Sequence, residues 1–159
     1  MALARIVSGG QSGVDRAALD AALAAAFPCG GWCPPDRGAE DGPIPDRYPM
    51  SLMSVGGSRQ RILKNVQAGD GTAILFHREL SGGTKLTRDL CIREKKPFIV
   101  LDAAQISTER ARWAILRFIE EHEIETLNVA GPRASGWPEG YDFALTVIGE
   151  AIKAGRAPA

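Results

Sequence analysis

The chain has 159 residues, 45% hydrophobic and 24% charged, which suits one globular domain and leaves no apolar run near the roughly 18 to 20 residues of a membrane span. Nineteen Lys and Arg balance nineteen Asp and Glu, so the basic excess of a nucleic-acid-binding surface is missing, although a small anion needs only a local positive cluster. Cys29, Cys33 and Cys91 are an odd number in a chain able to build its own core. They read as reduced thiols, and the C-x3-C pair lacks partners for a zinc site, so no structural metal is expected.

In chain order, residues 1–5 lead directly into the strand-like Ile6-Val7 with no room for a charged region followed by an apolar export segment, and a cytoplasmic protein is expected. The first strand covers 4–7 and the first helix 14–26. A weak strand follows at 31–33, and then a stretch at 34–49 that shows neither helical nor strand period and contains five prolines. Long loops of this kind are often lids or binding loops. A helix over 51–68, a strand over 71–76, a helix over 84–95 and a strand over 97–101 come next. The helix over 108–122 places Trp113, Leu116 and Ile119 toward the core, and a strand over 126–130 and a helix over 141–154 complete the chain. Five apolar strands alternating with helices predict a single Rossmann-like domain over 1–159, a three-layer α/β/α sandwich with a mostly parallel sheet of about five strands.

Three turns carry the functional signal. Ser8-Gly9-Gly10-Gln11-Ser12-Gly13 lies between the first strand and the first helix. Glycines there permit positive φ and close backbone approach, while the free N–H groups and dipole of the helix start attract an anion, phosphate foremost. The G-G-x-x-G spacing is neither the dinucleotide fingerprint nor a Walker A loop. The alternative is that Ser12 caps the helix and Asp15 completes a capping box, with the glycines serving only the turn. Two similar turns follow later strands, Leu80-Ser81-Gly82-Gly83-Thr84 and Gly131-Pro132-Arg133-Ala134-Ser135-Gly136. Strand-to-helix turns of a parallel sheet share one edge, so all three can converge on one crevice. The expected ligand-binding residues are Gly9, Gly10, Gln11, Ser12, Gly13, Gly82, Gly83, Thr84, Gly131 and Arg133. Arg16, Lys85, Arg88 and Arg133 supply positive charge nearby, and Arg133 is favoured because it sits inside a turn, where its planar fork can grip phosphate.

Taken together, the segment from Ser8 to Arg16, the loop 37–42, Asn65-Val66, Gly71-Thr72, Ser81-Gly82-Gly83-Thr84 and the run from Asn128 to Arg133 resemble the molybdenum carrier proteins. That family is a circularly permuted branch of the Rossmann-like superfamily that includes the lysine-decarboxylase-like cytokinin-activating enzymes. The resemblance implies a phosphate-bearing small-molecule partner, either a nucleotide or the molybdenum cofactor, a pterin carrying a phosphate, and it implies a homo-oligomer. The related phosphoribohydrolases carry P-G-G-x-G-T-x-x-E. Aligned from Ser81, Lys85 here replaces the third glycine and Leu86 the threonine, and Asp89 falls at the catalytic glutamate position. Glu40 and Asp41 on the long loop are the other catalytic candidates, provided that loop folds over the crevice. A binding or carrier protein is the expected function. A nucleoside-monophosphate hydrolase using a loop carboxylate is the alternative, and a regulatory module with purely structural turns is a third reading.

Overall fold

The computed structural model describes residues 2–158. In chain order its elements are β1 (Arg5–Val7), α1 (Val14–Ala24), β2 (Cys29–Gly30), β3 (Trp32–Cys33), β4 (Gly38–Ala39), β5 (Gly42–Pro43), β6 (Ser51–Leu52), α2 (Ser58–Ala68), β7 (Gly71–Phe76), α3 (Gly82–Arg93), β8 (Phe98–Asp102), α4 (Thr108–Glu121), β9 (Thr126–Ala130) and α5 (Gly140–Gly155). Five strands form one sheet in the order β2-β1-β9-β7-β8, with every neighbouring pair parallel. Helices α1, α5 and α4 pack in one layer, and α2 packs with α3 in the other. This is the three-layer Rossmann-like α/β architecture that the alternation of strands and helices predicts.

Burial follows position in the sheet. All six residues of the inner strand β7 are buried, as a strand covered on both faces requires, whereas Val100 of the edge strand β8 is exposed. The main core gathers Ile6, Val14, Leu75, Ile115, Leu127 and Ile148, and complete burial of each such side chain contributes about 1.5 to 3 kcal/mol. A small second core of Leu19, Cys33, Ile44 and Tyr48 lies under the long loop. The Tyr48 and Tyr141 hydroxyls both donate to Asp20, tying that loop and α5 to α1. Among the described residues no helix is long and apolar enough to cross a membrane.

Five local expectations need correction. The weak strand at 31–33 is split at Gly31, which has φ 137 and whose Cβ position would overlap the Ser8 carbonyl. Cys29–Gly30 joins β1 in the main sheet, and Trp32–Cys33 pairs instead with Ser51–Leu52. The helix expected from residue 51 therefore starts only at Ser58, because 51–52 is spent in that ladder and Gly56 and Gly57 interrupt the chain. Helix α3 begins two residues earlier than expected, at Gly82, and the long loop contains the short antiparallel hairpin β4–β5. In α4 the core face is Ala111, Ile115, Phe118 and Ile119, while Trp113 is 58% exposed. Positions i and i+6 lie about 120° apart around a helix, so Trp113 and Ile119 cannot share its buried stripe; i, i+4, i+7 and i+8 can.

Candidate functional site

The sheet delivers its three glycine turns to one edge. β1 runs into 8–13, β7 into 77–81 and β9 into 131–136, and between them lies a cleft of about 360 Å³. Gly131 makes this convergence possible, since a Cβ there would run into the Leu75 carbonyl and approach Val14 Cβ to 2.7 Å. Of the residues expected from sequence, Gly9, Gln11, Gly82, Gly83, Thr84, Gly131 and Arg133 line the cleft. Gly10, Ser12 and Gly13 stand behind it, within the wall.

That wall is closed by protein. Gly13 is the N-cap of α1 with φ 82, and a Cβ on it would lie 2.6 Å from the Pro132 oxygen and 2.8 Å from the Ala134 nitrogen. The Val14 N–H donates to Pro132 O at 3.4 Å, and the Arg16 N–H donates to Gln11 O at 3.0 Å, so the start of α1 is partly satisfied within the chain. The capping-box alternative fails here. Among the described residues no side chain caps α1; Ser12 Oγ instead donates to Glu40 at 2.7 Å and accepts from the Ala134 N–H at 3.1 Å. Gln11 Oε1 accepts from the N–H groups of Ser12 and Glu40 at 2.9 and 2.6 Å. The polar residues of this turn thus bind the long loop and the third turn to one another.

The candidate carboxylates on the loop serve that same scaffold. Glu40 accepts from Ser12 Oγ, from Ser135 Oγ and from the Ser135 N–H, and these bonds hold its pKa below the usual range. Asp41 accepts both ends of the Arg16 fork at 3.0 Å, which likewise lowers its pKa. Arg16 also donates to the Gly10 carbonyl at 3.0 Å, so this arginine is spent on the loop. Asp89 pairs with Arg88 at 3.0 Å. Neither these three carboxylates nor Arg16, Lys85 and Arg88 line the cleft; among the basic candidates Arg133 does.

The α3 end of the cleft is open. Among the described residues no side chain caps this helix at Ser81, a Cβ on Gly82 would have nothing within 4 Å, and one on Gly83 would touch only Ile62 at 3.5 Å. The first N–H groups of a helix lack intrahelical partners and carry the positive end of its dipole. Here Gly82 and Gly83 are exposed and line the cleft.

Several lining residues carry little local signal in the sequence. Arg61 comes from α2 and Asn128 from β9, while His77 and Trp137 follow β7 and β9. His77 stacks on Trp137 with ring centroids 5.9 Å apart and planes at 23°. Asp15 is 8% exposed, and among the described residues its Oδ1 has no hydrogen-bond partner. Burial raises its pKa to about 6 against the downward pull of Arg61 and of the Gln11 and Gly131 backbone amides. Its i+3 spacing from Ser12 suggests a cap, and only the packing turns it toward the cleft. Among the described residues no group of three or more His, Cys, Asp or Glu side chains converges as metal ligands would.

A parallel α/β sheet with glycine turns bordering a crevice at its carboxyl edge defines the Rossmann-like α/β class. Within that class, residues 6–152 match the model of the circularly permutated YpsA SLOG family, and the chain belongs to this family. It is also similar to a protein of known crystal structure, the "Putative molybdenum carrier protein" from Syntrophus aciditrophicus SB at 1.45 Å resolution, with 41% identity over 95% of both chains and a TM-score of 0.92. No curated protein matches it.

Proposed function

We propose that the protein binds a phosphate-bearing, nucleotide-like small molecule and acts as a binding or carrier protein. The observation that carries this reading is the uncapped N-terminus of α3, whose Gly82 and Gly83 leave room for a ligand beside Arg133 in the same cleft. Backbone N–H groups at a helix start with a guanidinium alongside form an anion site suited to phosphate. Gly82, Gly83, Thr84 and Arg133 would hold the phosphate, and Gly9, Gln11 and Gly131 would border the rest of the ligand. The structural neighbour is named a molybdenum carrier, which keeps the molybdenum cofactor beside the nucleotides as a candidate, and the donor set fits the phosphate of either. With Glu40 and Asp41 engaged by Ser12, Ser135 and Arg16, binding has more support than hydrolysis by a loop carboxylate.

The test is thermal denaturation with a nucleoside monophosphate or a pterin phosphate, each beside its dephosphorylated form. Saturation at about 100 times the Kd stabilises the folded state by roughly 2.7 kcal/mol, a rise in Tm on the order of 5 to 10 °C for a chain of this size. The dephosphorylated compounds should give far less. Arg133→Ala should shrink the shift while leaving the Tm of the free protein within about 2 °C, as expected for a surface change within 0.5 kcal/mol. Equal shifts with and without phosphate, or an undiminished shift in Arg133→Ala, would overturn the assignment.

A further inference from the structure

Two buried side-chain oxygens are without hydrogen-bond partners among the described residues, Asp15 Oδ1 and Asn128 Oδ1, and both residues line the same cleft. An unmet buried acceptor is costly and uncommon in a folded protein, so two in one cleft call for a ligand that brings donors. Chain geometry places them on adjoining segments. Asn128 is in register with Val7; Gly9 follows two residues on, and its Cβ position would be 3.0 Å from Asp15 Oδ2. The Asn128 amide is held from behind, where its Nδ2 donates to Thr72 Oγ1 at 3.2 Å. Arg61 faces Asp15 across Gly9, with its Nε 3.4 Å from that same Cβ position.

The cleft also offers a flat surface. The exposed His77 ring rests on the buried Trp137, and both border the cavity, an arrangement suited to stacking against a planar heterocycle.

We propose that Asp15 and Asn128 recognise the amino–lactam edge of a bicyclic heterocycle, the ring N–H and adjacent exocyclic amine shared by guanine and pterin, while His77 backed by Trp137 stacks on its ring. This deepens the phosphate reading and rests on it, because the ring is placed in the cleft whose α3 end takes the phosphate. Donor count selects the class. Adenine presents an amine beside an unprotonated ring nitrogen, whose lone pair would oppose the carboxylate, and hypoxanthine lacks the exocyclic amine.

The test is calorimetric titration of the full chain and its Asp15→Asn variant with GMP, AMP, XMP, a pterin phosphate monoester and inorganic phosphate, with circular dichroism showing that the variant is folded. GMP or the pterin should bind at least about tenfold tighter than AMP, in line with bidentate readout of a base edge. Whichever of the two binds identifies the source of that edge. In Asp15→Asn the preference should fall to within about threefold of AMP and XMP should gain, because the amide now offers a donor where the carboxylate accepts. Equal binding of GMP, the pterin and AMP by the wild type, or an unchanged preference in the variant, overturns the ring assignment and leaves the phosphate site standing. If no phosphate compound binds at all, both readings fall.

Discussion

The turns that open α1 and α3 are both glycine-rich strand-to-helix turns on one sheet edge, yet they use glycine for opposite ends. At Gly13 the space where a side chain would stand is filled by the backbone of 132–134, and at Gly10 by Ile44 and Met50. At Gly82 that space is empty, and at Gly83 only Ile62 approaches. In the first turn glycine lets chain meet chain. In the second it leaves the space beside the helix start open. A glycine motif therefore points to a ligand only where the volume beside it stays free.

The largest expected effect lies in the closed turn. Gly13→Ala combines an unfavourable backbone at φ 82 with a methyl 2.6 Å from the Pro132 oxygen, and should destabilise by about 3 to 4 kcal/mol in urea denaturation. A loss under about 1 kcal/mol would mean that the two turns are not pressed together.

Next comes Asp15, where the closed turn meets the cleft. Its folded carboxyl pKa is raised from 3.8 to about 6, so the folded state holds the proton more tightly than the unfolded chain does. Stability is then lost as pH rises from about 4 to about 6, and the full penalty, on the order of 3 kcal/mol, persists above that window. Asp15→Asn should accordingly raise stability by about 2 to 3 kcal/mol at pH 7.5 and by little at pH 4, read from Tm curves at the two pH values. No gain at pH 7.5 would show that the carboxylate is not penalised by burial.

The smallest effect on the fold belongs to the open turn. Gly83→Ala makes only an ordinary contact with Ile62 at 3.5 Å, and alanine is the better helix former, so stability should hold or rise by up to about 1 kcal/mol. The added methyl narrows the approach to the α3 amides, and phosphate-ligand affinity measured by calorimetry should fall several-fold. A loss of stability like that at Gly13, or unchanged affinity, would erase the distinction between the turns.

The parallel sheet and its helices were legible in the residues because apolar runs and helical period are local properties, and parallel topology alone sends 8–13, 80–84 and 131–136 to one edge. Gly9, Gln11, Gly82, Gly83, Thr84, Gly131 and Arg133 could be placed at the cleft on that basis. Tertiary contact decided the rest. Ser12 meets Ala134 across 122 residues, and Arg16 meets Asp41 across 25, and no local pattern records that these polar groups are spent on each other. The same holds for Asp15, which reads as a helix cap beside Ser12 until packing buries it opposite Arg61 and leaves one oxygen without a partner among the described residues. Backbone preference is set by near neighbours, whereas burial and pairing depend on whichever distant segment the fold brings alongside.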